Sequence, residues 1–170
     1  MKRLIDSHKH NYYLKPGEVL VSRQPVLVTT VLGSCVAVTM FSPGQGIGAI
    51  CHAMLPGNAD QTRDLIYVET AVRYIHAKMV KYGATDDMVV KMFGGAQVLD
   101  AANYSSTRLT VGEQNVARAE AVFLALGLKV AKADIGGVRG RKVFFSIKNG
   151  DVYLRKMGNR CDLLDRELKP

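Results

Sequence analysis

Residues 35–55, with the sequence CVAVTMFSPGQGIGAICHAML, decide the fold. Two runs within them, CVAVTMF and IGAICHAML, are apolar and rich in β-branched residues, as is typical of strands. The SPGQ segment between them contains Pro43-Gly44, which is a strong turn signal. We therefore predict a β-hairpin, and a hairpin requires its two strands to be antiparallel.

Further strands are predicted on both sides of this hairpin. EVLVS at 18–22 and PVLVTTVL at 25–32 precede it, and MVVKMF at 88–93 follows it. Near the carboxy terminus, RKVFFSIKNGDVYLRKM at 141–157 alternates about an Asn-Gly pair, which is the strongest short hairpin signal. The sequence therefore predicts about seven strands.

Two segments show helical periodicity. From Thr62 to Gly83, apolar residues recur at spacings of 3 and 4, which predicts an amphipathic helix. A second helical pattern runs from Glu113, and Gly127 is placed to cap its end. The two apolar stripes consist of Leu65, Val68, Val72, Ile75 and Met79 in the first helix and of Val116, Ala119, Phe123 and Leu126 in the second.

The order of these elements predicts the fold class. Strands grouped before and after two helices favour an α/β (α+β) sandwich, with a mixed, largely antiparallel sheet and both helices packed on its face. Strict strand-helix alternation is missing, which disfavours a doubly wound parallel fold. With 170 residues and no Pro/Gly/Ser-rich linker, we expect one domain over residues 1–170, with an amino-terminal arm at 1–15 and a carboxy-terminal tail at 158–170.

Composition narrows the class of protein. The apolar fraction is 48% and the charged fraction 22%, and no run approaches the roughly 20 apolar residues of a membrane span. The amino terminus lacks the apolar stretch of a secretory signal, so we expect a cytoplasmic protein without membrane insertion. Three cysteines without CxxC spacing suggest free thiols instead of a disulfide framework or a zinc site.

The net charge of +8 is concentrated near the carboxy terminus. Nine basic and two acidic residues lie between Lys129 and Arg160. This segment is either a solvated sheet face or a docking surface for an acidic protein or a nucleic acid. Few aromatic residues are interleaved with the basic ones, which disfavours nucleic-acid binding.

The first hairpin brings a candidate nucleophile and a candidate base together. If the turn is centred on Pro43 and Gly44, then Cys35 lies directly opposite His52. Opposite side chains on antiparallel strands have Cβ atoms about 4.5 to 5.5 Å apart. An imidazolium at that distance lowers the pKa of a thiol, and the thiolate attacks carbonyl carbon. The pairing depends on register, because a slip of one residue would separate the two side chains.

Residues upstream of the cysteine can complete a site for acyl transfer. Gly33 allows a tight turn in which the backbone amides near Ser34 and Cys35 are exposed, and such amides can stabilise an oxyanion. A threonine hydroxyl can orient the imidazole, and Thr29 and Thr30 are both candidates that spacing alone does not separate.

Cofactor signals are weak. His8 and His10, together with His52 or Cys51, are a poor metal-ligand pattern because no second closely spaced pair accompanies them. The glycine pairs in GGAQ and IGGVRGRKV match no phosphate-binding motif and resemble tight turns near a site. We therefore expect neither a metal nor an organic cofactor.

Several segments together resemble one known family. TTVLGSCVAV, GAICHAMLP, KMFGGAQV, VGEQNVARAEAVFLALGLKV and ADIGGVRGRKVFFSIKNGDVYLRK are similar to the CheD family, the chemoreceptor glutamine deamidases of bacterial chemotaxis. The resemblance covers most of residues 16–157. It implies a catalytic group of a threonine six residues before the cysteine, the cysteine, and a histidine seventeen residues after it, which here are Thr29, Cys35 and His52.

The resemblance also implies a fold, a substrate and partners. The implied fold is an α/β sandwich like that of a cytotoxic necrotizing factor type of toxin deamidase. The implied reaction converts glutamine side chains on the cytoplasmic coiled coils of methyl-accepting chemotaxis receptors to glutamate, and some members also cleave receptor methyl esters. The phosphatase CheC is an implied partner. The alternative is a non-enzymatic chemotaxis adaptor that docks acidic receptor helices or CheC.

Overall fold

The computed structural model describes residues 4–5, 8–57, 64–98 and 109–158. These residues form nine strands and two helices of three or more turns. In chain order they are β1 (His10–Tyr13), β2 (Val19–Ser22), β3 (Val26–Leu32), β4 (Val36–Ser42), β5 (Ile47–Ala53), α1 (Val68–Lys81), β6 (Val89–Gly94), α2 (Val111–Ala125), β7 (Val130–Ile135), β8 (Arg141–Ser146) and β9 (Val152–Lys156).

The strands build two sheets. One is four-stranded, in the order β1-β3-β8-β9, and the other is five-stranded, in the order β2-β5-β4-β6-β7. The pairs β1–β3 and β6–β7 are parallel, and the remaining pairs are antiparallel. The expected mixed, largely antiparallel α+β architecture is therefore confirmed, although its strands are divided between two sheets.

The five-stranded sheet is the middle layer of three. One of its faces packs on both helices, through Val72 and Met79 of α1 and Phe123 of α2. Its other face meets the four-stranded sheet, where Ile50 packs in one cluster with Phe145. Alternation along each strand produces the two layers, because successive side chains point to opposite faces. Each face of the middle sheet is thus buried against a different neighbour.

Both helices end as the sequence predicts. Gly83 and Gly127 follow α1 and α2 with φ of +91° and +66°, the left-handed region that favours glycine after a helix. Thr110 begins α2 with a capping box, in which its hydroxyl accepts from the Glu113 N–H and the Glu113 carboxylate accepts from the Thr110 N–H. Helix α1 begins at Val68, and the predicted start at 62 lies outside the described residues.

Two strands, β1 and β7, were not predicted. All four residues of β1 are exposed, as are five of the six residues of β7. Each lies at the edge of its sheet, where no buried alternation is required. Strand β1 belongs to the predicted arm at 1–15, so part of that arm pairs with β3. The predicted tail at 158–170 lies outside the described residues except for Gly158.

The register of the first hairpin differs from the prediction. Ser42 pairs with Ile47, so the connecting loop has four residues, 43–46, and is centred one position later than Pro43-Gly44. Gly46 in this loop has φ of +58°. His52 is therefore opposite Ala37 instead of Cys35. The shift moves the partner of the cysteine by two residues, which keeps His52 and Cys35 on the same face of the sheet.

Among the described residues, no helix combines the length and apolar character needed to span a bilayer.

Candidate active site

A short chain of hydrogen bonds orients His52 between the two sheets. The Thr30 hydroxyl on β3 donates to the Leu14 carbonyl oxygen at 2.8 Å and lies 2.7 Å from His52 Nδ1 on β5. A hydroxyl has one proton, and Thr30 gives it to Leu14, so its oxygen accepts from Nδ1–H. Neutral His52 is thereby held in the tautomer with a bare Nε2.

The bare nitrogen is available for proton transfer. His52 is 2% exposed, and among the described residues nothing forms a hydrogen bond with Nε2. Burial lowers the pKa of His52 to about 4. The nearby Leu14 backbone favours the protonated ring and opposes this shift. The imidazole is therefore neutral at pH 7 and can accept a proton.

The thiol of Cys35 lies at the edge of the same layer. Cys35 connects β3 to β4, is half-buried, and packs against a cluster of buried side chains that includes Ala37 and Phe93. Continuing the β4–β5 register places His52 diagonal to it on the same face. The two side chains share a face, as predicted, but they are diagonal neighbours and are not directly opposed.

Burial acts against the predicted thiolate-imidazolium pair. Burial raises the pKa of Cys35, as it lowers the pKa of His52, so both groups favour their neutral forms. The expectation of a sulfur that is already anionic at neutral pH stays a prediction, and these shifts do not favour it. A neutral thiol beside a neutral base is consistent with general-base activation during attack.

The two candidate threonines lie on opposite faces of β3. Thr30 is fully buried and contacts His52, whereas Thr29 is partly exposed and pairs with Phe144 of β8. Strand alternation turns Thr29 toward the outer face of the four-stranded sheet. The structure therefore does not bring Thr29 to the imidazole, and the residue in the orienting position is Thr30.

The turn before the cysteine is held through its carbonyl groups. The backbone N–H of Gly95 donates to the Cys35 carbonyl, and that of Ala96 donates to the Gly33 carbonyl, both at 2.8 Å. The Asn115 side chain donates to the Ser34 carbonyl at 2.9 Å. Within the described parts of the chain, no other residue accepts a hydrogen bond from the N–H of Ser34 or Cys35. These two amides are available to an oxyanion.

Glycines allow the chain to approach closely at this turn. A Cβ on Gly94, whose φ is +116°, would overlap the Cys35 carbonyl oxygen. Gly33 is outside the left-handed region, and a Cβ there would lie 2.9 Å from Val98 Cγ2. A side chain at Gly33 would therefore have to displace the Val98 side chain, and the dihedral angle of Gly33 is an ordinary one. The GGAQ segment continues from the end of β6 along the candidate site, with φ of +66° at Gly95.

Asn115 is a residue of the site that the sequence analysis missed. It is fully buried on α2, and its Nδ2 also donates to the Met54 carbonyl at 2.9 Å. Asn115 occupies a position of α2 where the helical periodicity predicts an apolar residue. This mismatch is the signal that could have identified Asn115 from the sequence.

The other candidate ligands and thiols lie apart from this site. Cys51 points into the helix-facing layer, where burial raises its pKa to about 12. His8 Nε2 lies 2.9 Å from the Ser146 hydroxyl. Among the described residues, no three His, Cys, Asp or Glu side chains are grouped as metal ligands. Cys161 lies outside the described residues.

One residue of the basic segment does not reach the surface, although six of its eight described basic residues are exposed. Arg141 is fully buried, and it donates to the Asp134 carboxylate at 2.6 Å and to the Gly136 carbonyl. Lys156 forms an ion pair with the same carboxylate. Arg141 therefore does not belong to a docking surface. Its role is to hold the loop that connects β7 to β8.

The fold and site together define a class of protein. A half-buried thiol, an oriented neutral imidazole and two available backbone amides, all at one edge of an α+β sandwich, are the groups that acyl transfer by a cysteine requires.

Comparison with known proteins identifies the family. The family model for CheD chemotactic sensory transduction matches residues 54–156. A relative in Geobacter sulfurreducens, named probable chemoreceptor glutamine deamidase CheD 2, is 45% identical over 153 residues, covering 88% of this chain and 91% of that protein. A probable chemoreceptor glutamine deamidase CheD of Maridesulfovibrio salexigens is 38% identical over 157 residues, covering 85% and 91%. The chain belongs to the CheD family.

A solved structure shows a looser likeness. The crystal structure of the hypothetical protein YfiH of Bacillus licheniformis matches with a TM-score of 0.43 and 10% identity, covering 69% of this chain and 50% of that chain. This likeness is too low to carry an argument about function.

Proposed function

We propose that this protein deamidates glutamine side chains of chemoreceptors, with Cys35 as the nucleophile. The observation that carries the proposal is the bare, buried Nε2 of His52, held by Thr30 on the face of the sheet that Cys35 shares. The names of the relatives supply the substrate class, a chemoreceptor glutamine.

The first half of the reaction forms a thioester. A rotation about the Cys35 side chain brings Sγ to the carboxamide carbon, and the thiol proton passes to His52 Nε2. The new C–S bond leaves an oxyanion, to which the N–H groups of Ser34 and Cys35 donate. When the carbon–nitrogen bond breaks, the imidazolium returns its proton to the leaving nitrogen, and ammonia departs.

The second half releases glutamate by the same groups. Water gives a proton to Nε2 as its oxygen attacks the thioester carbon, and collapse of the intermediate returns the proton to Sγ. The Nδ1–H bond to Thr30 keeps Nε2 aimed at the reacting atoms throughout. We assign this orienting role to Thr30, because the Thr29 side chain lies on the outer face. No step requires a metal or an organic cofactor.

The substrate and partners implied by the family resemblance complete the proposal. Basic residues that remain exposed around β8 and β9, such as Arg155, suit a glutamate-rich receptor helix. Cleavage of receptor methyl esters would use the same thioester chemistry with methanol as the leaving group. We also propose CheC as a partner and the cytoplasm as the compartment, where the substrate coiled coils lie.

The direct test uses receptor cytoplasmic fragments as substrate. Incubation with the protein should convert specific glutamines to glutamates, and peptide mass spectrometry identifies each position by the replacement of NH2 with OH. Binding of the fragments without any conversion would reject the enzyme and favour the non-enzymatic adaptor.

A further inference from the structure

Asn115 is a buried polar residue that the reaction steps above do not use. Its Nδ2 donates to two carbonyl oxygens, those of Ser34 and Met54, each at 2.9 Å. Carbonyl oxygens accept and do not donate, so the nitrogen of the side-chain amide must face them. Its Oδ1 is buried without a partner among the described residues. An unpaired buried acceptor is costly, so an apolar residue here would be expected if packing were the only demand.

The bond to Ser34 fixes the direction of the next N–H group. The described residues contain no cis peptide, so the Ser34–Cys35 peptide is trans. In a trans peptide the carbonyl and the N–H point in opposite directions. Because Asn115 holds the Ser34 carbonyl on the side of α2, the Cys35 N–H points away from α2. Among the described residues, that N–H has no acceptor on another residue, and its one recorded contact is with the sulfur of Cys35 itself.

The bond to Met54 links the same amide to the strand of the base. Met54 directly follows β5 and lies two residues after His52. One side chain therefore contacts both the turn before the nucleophile and the end of the strand that carries the imidazole. The flanking carbonyls of Gly33 and Cys35 are held by backbone donors, which leaves the peptide between Ser34 and Cys35 dependent on Asn115.

We propose that Asn115 is a positioning residue that aims the backbone N–H of Cys35 at the oxyanion. This inference rests on the proposed deamidation by Cys35. The carboxamide oxygen gains an electron pair when the sulfur attacks, and a preorganised donor lowers the energy of that state more than that of the bound substrate. Asn115 touches neither the substrate nor the reacting atoms, and it acts only through the Ser34–Cys35 peptide.

The test compares two reactions of the same thiol. Deamidation passes through an oxyanion, whereas alkylation by iodoacetamide displaces iodide at a saturated carbon and forms none. We expect Asn115→Ala to lower kcat for deamidation of a receptor fragment by about 10²-fold, with the rate of Cys35 alkylation changed by less than about threefold. Gln114→Ala is the matched control, because this neighbouring amide donates to the Leu109 carbonyl, and both of its rates should stay near wild type.

The outcomes separate this inference from the proposed function. Unchanged deamidation in folded Asn115→Ala would overturn the inference, and so would an equal fall in both rates, which indicates a merely structural role. If the wild-type protein itself deamidates nothing, the proposed function fails instead. Circular dichroism and thermal melting establish whether each variant is folded.

A second measurement needs only the wild-type protein. In a receptor peptide whose target glutamine carries an aldehyde in place of the carboxamide, Cys35 adds to the aldehyde carbon, and the resulting hemithioacetal oxygen occupies the oxyanion position. The Cys35 amide proton should then shift downfield in the NMR spectrum and exchange more slowly with solvent. Formation of the hemithioacetal without either change would overturn the inference even if Asn115→Ala does not fold.

Discussion

The two faces of the five-stranded sheet differ in what burial does to their side chains. Cys51 and His52 are neighbours on β5, and each is almost fully buried. Cys51 lies among apolar side chains of the sheet and both helices, and its pKa is raised to about 12. His52 lies between the sheets, where Thr30 binds one ring nitrogen and leaves the other bare. Burial makes the thiol inert and keeps the imidazole a neutral base.

One face of the five-stranded sheet therefore packs into the core with the helices, and the other face carries the proposed catalytic groups. The helix-facing layer joins residues from α1, α2 and several strands, and within the described ranges no ionisable side chain shifts the pKa of its thiol. The layer between the sheets opens at one edge, where Cys35 is half-buried. Substitutions on the two faces should therefore affect different measurements.

The largest expected effect is the loss of activity in Cys35→Ala. The nucleophile disappears, so the rate of glutamine deamidation should fall by about 10³-fold or more, while the melting temperature changes little because the thiol is only half-buried. Mass spectrometry of a receptor fragment and thermal melting measure the two properties. Full activity in this variant would show that the open edge of the layer is not where the chemistry occurs.

The next effect distinguishes the two faces of β3. Thr30→Val removes the acceptor for His52 Nδ1–H, and we expect kcat to fall by about 10- to 100-fold. Thr29→Val is the matched control of the same size, and its kcat should remain within about threefold of wild type because Thr29 faces outward. The reverse result would return the orienting role to Thr29, as the family resemblance implies.

A smaller effect concerns stability at acid pH. The unfolded chain protonates His52 as the pH falls through its ordinary pKa of 6.5, while native His52 stays neutral until about pH 4. Protons therefore favour the unfolded state, and the free energy of unfolding should drop by about 3 kcal/mol between pH 7 and pH 4 on account of this group. His52→Gln should flatten that part of the profile, measured by urea denaturation.

The matched variant for this profile is His76→Gln. Partial burial on α1 also lowers the pKa of His76, so its removal should flatten the profile in the same direction but to a smaller extent. If the two variants flatten the pH profile equally, the position of His52 between the sheets does not lower its pKa more than partial burial lowers that of His76.

The smallest effect is expected on the helix-facing side. Cys51→Ala removes one buried sulfur atom from a packed layer and should lower the free energy of unfolding by about 1 kcal/mol. The kcat for deamidation should stay at the wild-type value because Cys51 points away from His52. A large fall in activity would show that the helix-facing side of the sheet also contributes to the reaction.

The sequence predicted the elements better than the contacts between them. Hydrophobic periodicity identified both hairpins, both helices and the shared face of Cys35 and His52, because these features follow from repeats of two and 3.6 residues. Cys51 and His52 lie on opposite faces because they are successive residues of one strand. Alternation fixes the face of a side chain but not its partner, so the first hairpin was predicted one position away from its observed centre.

The remaining errors have similar causes. Strands β1 and β7 are exposed sheet edges without an apolar pattern. The choice between Thr29 and Thr30 depends on which face of β3 meets the other sheet, which becomes visible only when the two sheets are packed. The contacts of Asn115 cross 81 and 61 residues of chain, and no local pattern encodes them.

The hydrogen-bond chain from His52 through Thr30 to Leu14 ends on a neutral carbonyl and not on a carboxylate. The neutral imidazole of His52 therefore has neutral groups as its partners, and the two sheets enclose it without burying a counter-charge for it. In the proposed reaction, the ring carries a positive charge only while a substrate is being turned over. Ionic strength should consequently alter how receptors are captured at the basic surface and leave the bond-breaking events untouched.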